Sequence, residues 1–145
     1  MGVHVADDAP ESADTVDHQR IERLVETVLR GEGAPGRVDV VLAGDTLLAQ
    51  LNKSYRDKSG PTDVLSFPLE STPEDDLIGE VYVSMDRAQV QANDYHATLP
   101  DELARLVIHG ALHVLGHDHV EDEERARMEK RERLHLSGWE EESSR

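Results

Sequence analysis

The chain has 145 residues and no cysteine. A thiolate zinc ribbon, an iron–sulfur cluster and a disulfide framework are therefore excluded. Aromatic residues are nearly as scarce, with one tryptophan, one phenylalanine and three tyrosines. They are too scattered for a base-stacking platform, so Trp139 and Tyr95 are read as packing residues. No apolar run approaches the roughly 20 residues that span a bilayer. Residues 1–8 also lack the basic and apolar regions of a signal peptide, so a soluble cytoplasmic protein with no membrane partner is expected. Cations are in short supply: 15 Lys and Arg stand against 31 Asp and Glu, a net charge of −16. Such a surface repels polyanions at long range. It marks either a protein that avoids nucleic acid or a solvated coat suited to concentrated salt, where screening shortens the repulsion. Net charge does not set the local field of a cleft, and Lys53, Arg56 and Lys58 fall close together.

Histidine is what the chain does have. Four histidines fall within residues 109–119, and three of them, His109, His113 and His119, follow the spacing H-x3-H-x5-H with Gly116 between the second and third. Positions four apart share a helix face, so His109 and His113 can offer two imidazoles to one ion. Gly116 can take the left-handed conformation that ends a helix and lets the chain return with His119. Three histidines with an open fourth position is the pattern of a catalytic zinc site. His117 reads as a loop residue, although it also lies four from His113 and can compete as a ligand. The run H-E-x-x-H-x-x-G-x-x-H of metzincin proteases is similar, but Gly110 stands where its general-base glutamate belongs. That departure argues against ordinary peptide hydrolysis and leaves the ligand set intact.

The length predicts one domain over residues 1–145, with 1–14 and 137–145 peripheral or frayed. A short strand is expected at Val3 and Val5. A helix capped by Asp14 should follow, with Ile21, Leu24, Val25, Val28 and Leu29 on one stripe and Gly31 and Gly33 ending it. Residues 37–43 read as a strand, and Asp45 should cap a helix to about Tyr55. Strands at 63–67 and 77–85 flank an acidic loop, with Asp63 capping the first and Asp86 capping the next helix. A helix from about Asp101 carries Leu103, Leu106, Val107, Gly110, Ala111 and Val114 on a core stripe. Ile108, Leu112 and Leu115 lie on its other faces, so it is buried nearly all round, with His109 and His113 flanking the stripe along a cleft. A charged helix over about 121–135 uses Met128 and Leu134 as apolar contacts. Strands interspersed with helices and no sustained β-α-β rhythm predict an α+β fold, a small mixed sheet packed by several helices.

Three separated motifs resemble one family. The run His109 to His119, with residues 51–56 (LNKSYR) and 61–68 (PTDVLSFP) before it, is similar to the YbeY family of bacterial ribosomal-RNA maturation endoribonucleases. Gly79-Glu80, opening a Val-Tyr-Val strand, also fits, although many members have aspartate at the second position. The resemblance covers residues 37–135; the N-terminal third is supported only by its strand–helix pattern. It implies one zinc ion per chain on His109, His113 and His119, a functionally required Arg56, and the metal helix at the centre of the fold. It implies a single-strand-specific endoribonuclease acting in maturation of the 16S ribosomal RNA 3′ end and in ribosome quality control, with ribosomal RNA and ribosome-associated proteins as partners.

Arg56, permanently charged and fork-shaped, suits a phosphodiester. Asp118, beside a ligand, is read as a turn cap or as a group orienting a ligand imidazole. Nickel also suits imidazole ligands. Two other readings compete with the nuclease: a metalloprotease-like hydrolase, and a ribosome-assembly binding protein whose zinc is structural and closed by a fourth protein ligand such as His117 or Asp118.

Overall fold

The computed structural model describes residues 2–60, 62–117 and 121–143. His119 and Asp118 lie outside the described residues.

A four-stranded mixed sheet organises the chain. Its order is β1 (Val3–Val5), β2 (Arg37–Ala43), β4 (Leu77–Ser84), β3 (Val64–Pro68). The first three are parallel, and β3 closes one edge antiparallel to β4. Period-two alternation divides the side chains between two faces. Val38, Val40, Leu42, Val81 and Val83 join the main core with α2 (His18–Gly31), α5 (Leu99–Val114) and α6 (Asp122–Ser143). Ala43, Leu65, Phe67 and Tyr82 face the other way, against Leu47, Leu48 and Leu51 of α3 (Asp45–Arg56). The short α1 (Ser12–Thr15) and α4 (Met85–Asp94) complete the set, and the α+β expectation holds.

Helix starts depart from the sequence reading. Asp14 does not cap the first long helix: the chain makes one turn, α1, extends at Val16, and restarts with Asp17 accepting the Arg20 N–H at 3.1 Å. The turn tucks Ala13, fully buried, into the core. At α3 the capping position is Gly44, and the carboxylate that serves it is Asp8, accepting from Gly44 N and Leu47 N at 3.0 and 2.8 Å. Asp86, expected to cap α4, accepts from Asp45 N at 2.9 Å, while Ser84 caps α4 by accepting from Arg87 N. Asp45 in turn accepts from Ser84 Oγ at 2.8 Å. The cause is the register: Ala43 pairs with Ser84, so α3 and α4 begin side by side and exchange carboxylates.

The C-terminal segment is not frayed as expected. Helix α6 runs to Ser143, with Met128, His135 and Trp139 on one buried stripe. Trp139 is 3% exposed, donates from Nε1 to Asp101 Oδ1 at 2.9 Å, and carries the Arg20 guanidinium 3.4 Å from its ring centroid. Leu134 lies off that stripe and is 54% exposed, and Tyr95 is 71% exposed, so neither packs as read. Trp139→Ala is expected to cost about 3–5 kcal/mol of stability, and Leu134→Ala less than about 0.5 kcal/mol, in urea unfolding at neutral pH. Equal effects would contradict this assignment of the buried face.

Candidate active site

Helix α5 starts where Thr98 accepts the Asp101 N–H, with Pro100 in the first turn and Asp101 and Glu102 complementing the helix dipole. Ten of its residues are buried, from Glu102 to Val114. Glu102 is tolerated inside because Arg105 donates to both its oxygens, at 2.9 and 2.6 Å. Gly116, at φ +94°, ends the helical run as expected, its N–H reaching the His113 carbonyl at 3.0 Å.

The helix sits unusually close to the sheet. A Cβ at Gly110 would stand 2.5 Å from Val81 Cγ1 and 3.2 Å from Ser66 Oγ, and one at Gly79 would collide with Val114. Ser66 on β3 donates from Oγ to the Gly110 carbonyl at 2.8 Å. Gly110 is thus a contact residue of the sheet, and a glutamate at this position has no room. The protease reading loses its base for a steric reason.

His109 and His113 keep to the flank of this buried helix, both partly exposed, with ring centroids 4.7 Å apart and planes at 65°. His109 Nδ1 lies 3.1 Å from Glu132 Oε1 on α6. Two imidazoles on successive turns, one already held by a carboxylate, are a donor set suited to zinc or nickel. The remaining predicted ligand is His119, so among the described residues no three His, Asp or Glu side chains form a metal-holding group.

His117 turns elsewhere. Its Nε2 lies 3.2 Å from Glu32 Oε1, at the end of α2, while Glu32 Oε2 takes His135 Nε2 at 2.8 Å and Arg131 Nε at 2.7 Å. Burial pushes the Glu32 carboxyl up, but the bonds from His135, Arg131 and His117 outweigh it and hold it below the usual 4.5. Glu32 thereby ties α2 and α6 to the segment leaving α5. Neither Glu32 nor Glu132 carries a local sequence signal, since their partners lie 85 to 103 and 23 residues away.

Arg56 is the last residue of α3, on the sheet face opposite α5. Its neighbour Tyr55 meets Phe67 edge-to-face at 5.2 Å, Phe67 pairs with Glu80, and Val114 lies against Gly79. Both helices therefore finish at the same end of the β3–β4 pair, with edge strand β3 beside them. Lys53 is neutralised by Asp57 at 3.1 Å, whereas Arg56 and Lys58 are exposed and have no carboxylate partner among the described residues. Asn52, buried at 5% exposure, shapes the loop beyond Arg56. Its side chain donates to the Gly60 carbonyl at 3.0 Å and its own carbonyl accepts from Lys58 N at 3.2 Å. Asp63 caps β3 as expected, accepting from Val64 N.

An imidazole pair stands on the rim of a buried helix, with an arginine that has no carboxylate partner among the described residues at the same end of the mixed sheet, and the fold is α+β. Residues 7–140 match the family model described as Endoribonuclease YbeY. The chain is 42% identical over 117 residues to the Endoribonuclease YbeY of Carboxydothermus hydrogenoformans, covering 81% of this chain and 82% of that one. It is 32% identical over 164 residues to that of Lachnoclostridium phytofermentans, covering 94% and 99%. A solution structure of a Thermotoga maritima protein superposes with a TM-score of 0.69 at 28% identity, covering 99% of this chain and 93% of that chain. The chain belongs to the YbeY endoribonuclease family, and as a member it is a hydrolase of RNA. Among the described residues no helix is long and apolar enough to cross a membrane.

The Glu32 cluster gives a pH prediction. A carboxyl held below its unfolded pKa contributes stability that is complete above about 4.5 and lost as pH falls through the folded value. Glu32→Gln should therefore lower the urea midpoint near neutrality, and the gap to the native protein should narrow as the pH falls below about 4.5. A gap independent of pH would remove the ionised carboxylate from the account.

Proposed function

We propose that this chain is a zinc-dependent, single-strand-specific endoribonuclease that acts in the cytoplasm on the 3′ end of 16S ribosomal RNA and in ribosome quality control, with ribosomal RNA and ribosome-associated proteins as its partners. The observation that supports it best is the His109–His113 pair, 4.7 Å apart on the rim of α5 in a member of an endoribonuclease family.

In this reading His109, His113 and His119 hold one zinc ion. Bound there, zinc supplies Lewis acidity toward a phosphodiester oxygen. The protein residues have separate tasks. Arg56, exposed at the same end of the sheet, offers a permanent charge and a planar fork to a phosphate and stabilises the charge that develops on it. Lys58 adds a second cation to the approach, on the loop shaped by Asn52. Gly110 keeps α5 against the sheet and fixes the height at which the imidazoles stand. Asp118 acts through the turn or through a ligand imidazole.

The net charge of −16 makes the salt dependence informative. A basic RNA binder weakens as salt rises. Here the long-range term is repulsive and fades as the Debye length shrinks from about 10 Å at 0.1 M to about 3 Å at 1 M. With a single-stranded 3′-end fragment, KM should stay level or fall between about 0.1 and 0.5 M salt. His113→Ala should lose both zinc and cleavage, whereas Arg56→Ala should keep zinc and lose about 100-fold or more in kcat/KM. A native protein that holds zinc and cuts no RNA at any salt would overturn the nuclease reading in favour of an assembly factor.

A further inference from the structure

Glu132 is a carboxylate without an obvious reason to sit where it does. At about 100° per residue it falls within about 40° of Met128 on α6, on the stripe that also carries His135 and Trp139. That stripe is otherwise the buried face of the helix, with Met128 at 1% and Trp139 at 3% exposure. Glu132 thus points at α5 between anchors on either side, and its side chain is 22% exposed. An unpaired carboxylate in such a place is costly. The Arg105 guanidinium feels its charge, and its hydrogen-bond partner is His109, with Oε1 3.1 Å from Nδ1.

A carboxylate can only accept, so this bond requires the proton of a neutral His109 to reside on Nδ1. The lone pair then belongs to Nε2, on the opposite side of the ring. From this geometry we infer that Glu132 is a positioning residue of the metal site: it accepts from His109 Nδ1–H, fixes the tautomer and ring orientation, and makes His109 an Nε2 ligand. The inference rests on the reading of His109 as a zinc ligand given above. It assigns work to α6 that no motif in that helix announces. Partners of this kind contribute about 10–100-fold to metal affinity.

The test measures zinc affinity by chelator competition in the native protein, His109→Ala, Glu132→Ala, Glu132→Gln and Glu129→Ala, with urea midpoints confirming that each is folded. Glu129 is exposed one turn away and serves as the control. Independently of metal, imidazole nitrogen NMR of the zinc-free native protein near pH 8, where an ordinary histidine is neutral, reports which nitrogen of His109 carries the proton. Expected are an Nδ1–H tautomer, a zinc affinity lowered about 10–100-fold in Glu132→Ala, a smaller loss in Glu132→Gln, whose amide oxygen still accepts, and none in Glu129→Ala. An Nε2–H tautomer in the native protein overturns the inference even if Glu132→Ala fails to fold. So does a folded Glu132→Ala that binds zinc as tightly as the native protein. If His109→Ala loses zinc while Glu132→Ala does not, the ligand set stands and the positioning role falls. A native protein that binds no zinc overturns both.

Discussion

The close approach of α5 to the β3–β4 pair is the constraint on which the site depends. It is possible because Gly79 and Gly110 present no side chain where helix and sheet meet, and Ser66 ties the two with a bond to the Gly110 carbonyl. A helix held this tightly cannot rotate without driving Val114 or the Gly110 backbone into the strands. The imidazoles at positions 109 and 113 are therefore set on the rim by packing on the opposite flank. Gly110 is also the residue that separates this chain from the protease motif it half resembles. One missing side chain both seats the helix and removes the peptide-hydrolysis base.

Around this helix, acidic residues do internal work. Glu102 pairs with Arg105 inside the core, Asp101 receives the Trp139 indole, and Glu132 meets His109. Glu32 gathers His117, Arg131 and His135, and Asp8, Asp45 and Asp86 settle the starts of α3 and α4. The excess of acid is thus not only a solvated coat. Part of it is the set of acceptors that joins distant helices to α5, and that part is oriented by packing rather than screened away.

Much of the fold was legible because periodicity is a local signal. Arg37–Ala43 is β-branched and apolar enough to read as a strand, and it is buried on both faces; α2 shows its stripe and its terminal glycine. The nearly all-round apolar surface of α5 marked it as central before any contact was known. Caps were less legible: Asp14, Asp45 and Asp86 each had the right chemistry, but register and neighbouring helix starts decided which carboxylate served which N–H. Helix α6 was misread at its end because the stripe Met128, His135, Trp139 is sparse in a very charged segment. A single buried indole outweighs the polar residues around it. In the site, the histidine spacing could be read directly, and Arg56 only through a family motif. Glu132 and Glu32 were invisible, since nothing within a few residues of either announces a histidine partner from another helix.

The proposed zinc site joins His109, His113 and His119 and leaves one position open. Zinc-edge X-ray absorption on the purified protein tests it most directly. The account predicts close to one zinc per chain in a four-coordinate shell of three imidazole nitrogens and one light ligand that an added anion replaces. A shell completed by a fourth protein ligand that no anion displaces, or a spectrum unchanged by His113→Ala, would contradict it.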